Sequence, residues 1–229
     1  MRNCALRELG RMEYGAALEL QRELVAQRKQ GLIDDQLLLL EHSHVITMGR
    51  NGHMDNLLAN DYVLDRAGIG FFPTDRGGDV TYHGPGQLVG YPILSLTEWK
   101  RDVRAYVRAV EQVLIDTLGD YGITAGRIDG MTGVWVDGSK VAAIGVHISR
   151  WVTSHGFALN VDTDLTYFQY IVPCGLTKPV TSMAKLGVRA TLKEVTQVLA
   201  RHFGRIFDCE MVEPVGVPAG AGVGNGEQI

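Results

Sequence analysis

The chain has 229 residues, 45% hydrophobic and 21% charged, with a formal net charge of −4. That length buries a sizeable core without disulfides or metal, and the negative balance argues against non-specific nucleic-acid binding as the main task. No stretch approaches the ~18–20 apolar residues of a membrane span. The opening MRNCALRELGRMEYG lacks the long apolar run and the small-residue cleavage site of a signal peptide. The cysteines are Cys4, Cys174 and Cys209, with no CxxC spacing. Such a sparse set suits a reducing compartment, so a cytoplasmic location is expected and a functional cysteine would act as a thiol.

In chain order, residues 4–9 suit a short strand. Residues 12–30 read as a helix, with Tyr14, Ala17, Leu20 and Leu24 at helical spacing and Gly31 stopping it. The run from Gln36 to Glu41 has the length of a buried central strand, 45–48 suits another, and 53–68 a short helix. The glycine-rich stretch 71–94 begins as a loop and ends as a strand. Val103, Tyr106, Val107, Val110, Leu114 and Leu118 place a helix at 102–119. Arg101, Arg104 and Arg108 recur on it and are best read as a solvated face.

The period then changes. Residues 124–161 read as a β-meander, with Asp137–Gly138 a strong hairpin turn signal and a second hairpin joining 140–149 to 153–161. Residues 164–170 suit a helical turn. Thr191 and Glu194 have capping-box spacing at the start of a helix whose stripe is Leu192, Val195, Leu199, Phe203 and Ile206. The fold class is α+β (mixed α/β), a mixed and largely antiparallel sheet flanked by helices. Residues 1–212 form one domain, and the Gly/Pro-rich tail at 213–229 is expected to be disordered.

Four places could carry chemistry. Cys174 lies between Pro173 and Gly175, a setting for an attacking thiol in a tight turn, or equally for a buried, inert cysteine. Lys140 precedes an apolar strand, where partial desolvation would suit it to proton transfer, although an ordinary turn lysine fits the local sequence too. The segment from Arg76 to Gln87, RGGDVTYHGPGQ, interleaves polar side chains with glycines and can present backbone N–H groups to an oxyanion. It matches neither a phosphate loop nor a GxGxxG fingerprint. Finally, His155 and Asn160 could join Cys174 in a cysteine-hydrolase set, whereas His42 and His44 have no evident further ligands for a metal.

Together, RGGDVTYHGPGQLVGYPI at 76–93, KVAAIGVHISRWVTSHGFALNV at 140–161 and IVPCGLTKPVTSM at 171–183, with LLLLEHSHVITMGR at 37–50, resemble the lipoyl(octanoyl) transferase family. The resemblance covers most of residues 5–207. It implies the biotin–lipoate ligase-like transferase fold and no cofactor. It implies octanoyl-acyl carrier protein as donor, and lipoyl domains of 2-oxoacid dehydrogenases and the glycine-cleavage H protein as acceptors. By resemblance Cys174 is the nucleophile and Lys140 its partner, without metal. The substrate-binding stretches would be Arg76, Gly77, Gly78, Asp79, Val80, Thr81, Tyr82 and His83, then Ala143, Ile144 and Gly145, then Gly156, Phe157 and Ala158. Backbone N–H groups near Gly77, Gly78 or Gly145 are candidates for the oxyanion, and Val80, Val141, Ile144 and Phe157 for the acyl wall. A monomer is expected, with neither nucleic acid nor membrane as partner. The rival readings are an ATP-dependent lipoate or biotin ligase on the same fold, the hydrolase, and a non-catalytic acyl- or carrier-binding module.

Overall fold

The computed structural model describes residues 1–172 and 178–214. Cys174 and all but the first two residues of the 213–229 tail lie outside that range, so the expectations placed on them do too. In chain order the strands are β1 (Arg2–Met12), β2 (Asp35–His42), β3 (Val45–Met48), β4 (Gly70–Pro73), β5 (Val80–His83), β6 (Gln87–Ile93), β7 (Gly126–Ile128), β8 (Met131–Val136), β9 (Ser139–Ser149), β10 (Val152–Asn160) and β11 (Cys209–Val212). The helices are α1 (Tyr14–Lys29), α2 (Asp61–Arg66), α3 (Val103–Asp120) and α4 (Leu192–Phe207), with 3-10 turns at Met54–Asn56 and Leu165–Tyr170.

An eight-stranded sheet runs in the order β11-β1-β2-β6-β10-β9-β8-β7. Its β1 pairs are parallel and the other pairings are antiparallel. The leucine run of β2 is buried on both faces. Leu37 and Leu39 enter the core under α3 and α4, while Leu38 and Leu40 enter the core under α1. The period of two along a strand thus feeds two cores from one continuous apolar segment. Full burial of each such leucine contributes roughly 1.5–3 kcal/mol.

A second sheet, β4-β3-β5, stands beside the first. Here the structure departs from the sequence reading, because residues 70–73 form a strand rather than loop, parallel to β3. The small third core, with Ile46, Val80 and Tyr82, explains why. Hydrogen bonds supplied by β3 make a strand of a Gly-Phe-Phe-Pro segment that has no alternation of its own.

The hairpins of the meander form as read. Asp137 and Gly138 have φ of 46° and 77°, the paired positive values of a type I′ turn. The next turn does the same with Arg150 at 51° and Trp151 at 63°, residues with no intrinsic preference for that region. Pairing along β9 and β10, from Ser149–Val152 to Ala142–Leu159, imposes it. The Thr191 capping box forms, and Phe207 joins Val195, Leu199 and Phe203 in the buried stripe while Ile206 is only partly covered. On α3, Val103 is exposed.

Candidate active site

A cavity of about 390 Å³ opens between the main sheet and the segment at 76–83. Its floor is the β9–β10 pair, in register as Gly145–Gly156, Ile144–Phe157 and Ala143–Ala158. Val80, Ile144, Phe157 and Ala158 supply apolar wall, and Lys140, Arg76, Asp79 and His83 supply polar groups. Ala143, Gly145, Gly156, Gly77, Gly78 and Thr81 also line it. The structure therefore brings together three segments far apart in sequence. Two expectations need correction. Tyr82 faces away: its hydroxyl bonds His44 Nδ1 at 2.7 Å and its ring packs with Tyr167 and Phe168. Val141 is fully buried in the core under α3 and α4, at the register shift where Lys140 pairs with Trp135 and Ala142 with Val134, which breaks the alternation along β9.

The 76–79 loop is held from both sides. The Arg76 guanidinium donates to the Thr47 carbonyl at 2.7 Å and to Thr47 Oγ1 at 2.9 Å, and to its neighbour's carbonyl, Gly77, at 3.1 Å. Asp79 Oδ1 accepts from the backbone N–H of Val80 at 2.7 Å, and Oδ2 accepts from Asn56 Nδ2 at 2.5 Å. Gly77 donates its N–H to the Val146 carbonyl at 2.8 Å. That bond ties the loop to β9 and removes Gly77 from the candidate oxyanion donors. Gly145 lets the two approach so closely: a Cβ there would lie 2.9 Å from the Gly77 carbonyl.

Lys140 starts the long arm of the hairpin. Its backbone N–H donates to the Pro179 carbonyl and its carbonyl accepts from Thr181 N–H, both at 2.9 Å, bridging β9 to the stretch that follows Cys174 in sequence. The ammonium lies 4.8 Å from the Trp135 ring centroid, within the range of a cation–π contact.

Beneath the cavity runs a polar chain. His83 Nδ1 bonds Gln87 Oε1 at 2.8 Å, and Gln87 Nε2 donates to Asn160 Oδ1 at 2.9 Å. Asn160 Nδ2 in turn donates to the Thr181 carbonyl at 2.9 Å. Because the Gln87 oxygen must accept, Nδ1 of His83 carries the hydrogen and Nε2 is a bare acceptor. Burial, helped by the neighbouring His42, pushes the His83 imidazole down to about 3. It is neutral near pH 7.

His155 and Asn160 do not act as a pair. His155 Nε2 bonds Asp75 Oδ1 at 2.7 Å, so its orienting partner is Asp75 and Asn160 belongs to the His83 chain. Burial opposes ionisation of Asp75, but the His155 hydrogen bond and the electrostatic pull of His155 and His147 together outweigh it and hold the carboxyl below its usual range. His42 bonds the Met12 carbonyl and the Tyr91 hydroxyl, and His44 stacks on Tyr167. Among the described residues no cluster of three metal-ligating side chains occurs, and no helix is long and apolar enough to cross a membrane.

Residues 13–204 match the lipoyl protein ligase A/B catalytic domain. The octanoyltransferase of Solibacter usitatus (strain Ellin6076) is 74% identical over 212 residues, covering 93% of this chain and 96% of that protein. The chain belongs to the octanoyltransferase family. A chain from the archaeal lipoylation system of Thermoplasma acidophilum, a bipartite lipoate protein ligase and its E2 lipoyl domain, superposes with a TM-score of 0.77. It is 18% identical and covers 95% of this chain and 88% of that one. Biotin protein ligase of Aquifex aeolicus follows with a TM-score of 0.52 at 12% identity, covering 89% and 69%. The fold is that of the biotin–lipoate ligases.

The cavity also has walls that motif reading missed. Tyr14, Gln87, Tyr91 and the stretch Gly130–Met131–Thr132 line it. Gln87 sat inside the quoted glycine-rich motif, and its amide was the available signal. Tyr14 reads as an ordinary core residue of α1, and nothing local distinguishes Met131 from a turn residue.

Proposed function

We propose that the chain transfers an octanoyl group from octanoyl-acyl carrier protein to a lysine of a lipoyl domain, through a thioester on Cys174. The observation that carries this reading is the 74% identity to an octanoyltransferase across nearly the whole chain. The cavity supports it. Apolar walls of Val80, Ile144, Phe157 and Ala158 lie in the same space as the Lys140 side chain. Each methylene buried there contributes about 0.8 kcal/mol, enough to hold an acyl chain while its carbonyl is attacked.

The steps balance without a nucleotide, because the donor thioester is already activated. The Cys174 thiolate attacks the thioester carbonyl, and the tetrahedral intermediate collapses by breaking the carbon–sulfur bond to the carrier. Lys140, as ammonium, stabilises the thiolate beforehand and protonates the departing carrier thiolate. Neutral Lys140 then takes a proton from the acceptor ammonium. The freed amine attacks the acyl-enzyme, Cys174 leaves as thiolate, and the amide nitrogen sheds its surplus proton to water. Gly78 and Gly145 remain the candidate N–H donors to the oxyanion.

The test is intact-mass analysis after incubation with octanoyl-acyl carrier protein in the absence of ATP. A gain of one octanoyl group, mapped to Cys174 and discharged by a lipoyl domain, is expected. Full transfer by a Cys174→Ala variant would remove the thioester from the scheme. A requirement for ATP with free octanoate would favour the ligase reading.

A further inference from the structure

A second cavity, of about 430 Å³, lies beneath α1, against His147 and Ser149 of β9 and Ser154 of β10. It touches the first cavity at His155, which lines both. Its cations are Lys29 near the end of α1, Arg150 at the β9–β10 turn, and Arg22, which is paired with the exposed Glu19. Among the described residues neither Lys29 nor Arg150 makes an ion pair. The carboxylate facing the cavity, Asp75, is committed to His155 at 2.7 Å, with His147 Nε2 at 3.7 Å from its other oxygen. Asp75 offsets one cation and Glu19 another, which leaves the lining with a net positive charge.

A second observation concerns Gln21, which is 1% exposed and lines the same cavity. Its Oε1 accepts from the backbone N–H of His155 at 2.9 Å, which fixes the amide's orientation. Its Nε2 is consequently a donor, buried and without a partner. An unpaired buried donor in a cavity of net positive charge favours an acceptor that is itself charged. Lys29 carries the mark of this clustering: burial and the charge of Arg150 together hold it below the ordinary lysine range, against the opposing charge of Asp75.

We infer that this cavity binds a phosphate ester, its phosphoryl oxygens taking Lys29, Arg150 and the Gln21 amide. A carboxylate presents two acceptor oxygens to these three groups, whereas a phosphate monoester presents three and carries a second negative charge near neutral pH. Leu18 and Val25 give the cavity an apolar side for the organic part. The ester could arrive on the arm of an acyl carrier or as a small phosphate. Only the first source rests on the octanoyl-transfer reading.

The experiment is calorimetric titration of the full chain with inorganic phosphate, pantetheine 4′-phosphate and pantetheine, at low salt. Binding is read without any acyl transfer, so its failure is distinct from failure of the transfer scheme. The two phosphates should bind and pantetheine should not. Tighter binding of pantetheine 4′-phosphate than of phosphate assigns the site to the carrier arm, and equal binding assigns it to small phosphates. Arg150→Glu should weaken the phosphates at least ~10-fold, as should Lys29→Glu. Arg104→Glu, the same charge change on exposed α3, should leave binding intact. Gln21→Leu is less informative, because it also removes the acceptor for His155. Absence of phosphate binding, or equal losses in Arg150→Glu and Arg104→Glu, overturns the inference.

Discussion

The side-chain amide of Gln87 donates to Asn160 Oδ1 at 2.9 Å, and Asn160 passes the chain on to the Thr181 carbonyl. Thr181 donates its own N–H to Lys140. One row of amides therefore links His83 on β5 to the start of β9. Asn160→Leu leaves the Thr181 carbonyl buried without its partner and Gln87 Nε2 with only the Tyr82 carbonyl, at 3.2 Å. A loss of about 1–3 kcal/mol is expected, measurable as a lower urea midpoint at unchanged slope. A neutral result would mean that water or a rotated Gln87 replaces Asn160.

Acid should weaken the fold through His83. Its folded value lies near 3 against an ordinary 6.5, so the unfolded chain binds the extra proton between those limits. Stability is then fully present above about 6.5 and is lost as pH falls toward 3. The group contributes a slope of up to ~1.4 kcal/mol per pH unit in that window. His83→Gln should flatten the stability–pH curve there by that slope. His42 and His155, also held down by burial, keep the remaining curve sloping the same way.

Gly145→Ala tests the loop-to-strand contact. The new methyl would meet the Gly77 carbonyl at 2.9 Å, and backbone cannot swing aside as a side chain would. The 76–79 loop should be displaced by a fraction of an ångström while both cores stay packed. We expect transfer activity to fall at least ~10-fold, with far-UV circular dichroism unchanged. Wild-type activity would show that loop position is not critical to turnover.

The α4 cap offers a test remote from the site. The Thr191 hydroxyl accepts from Glu194 N–H at 3.2 Å, and the Glu194 carboxylate accepts from Thr191 N–H at 2.7 Å. Thr191→Ala should cost about 1 kcal/mol, lowering Tm by roughly 2–4 °C for a chain of this size. Activity at 25 °C should be untouched.

Much of the fold was legible locally, because a helix or hairpin is specified by neighbours within a few residues. The α4 capping box, the Asp137–Gly138 turn and the β2 leucine run each carry their own signal, and each forms. The family motifs identified the cavity-lining segments for a different reason: the residue types needed to hold a loop against a strand are unusual enough to stand out. What the sequence left open depends on contacts between distant segments. The strand at 70–73 exists because β3 offers it hydrogen bonds. The left-handed Arg150–Trp151 turn exists because two long strands pair beyond it. Tyr82 and Val80 lie two apart on one strand and look equally eligible in the motif. Yet Val80 reaches the cavity, and Tyr82, tethered to His44 and packed on Tyr167, does not. His155 could have been matched with Asn160 by chain order, but it is Asp75, 80 positions upstream, that holds its ring. Local chemistry decides which elements a chain can make. Only packing decides which of their side chains meet, since each such meeting depends on where a remote segment is held.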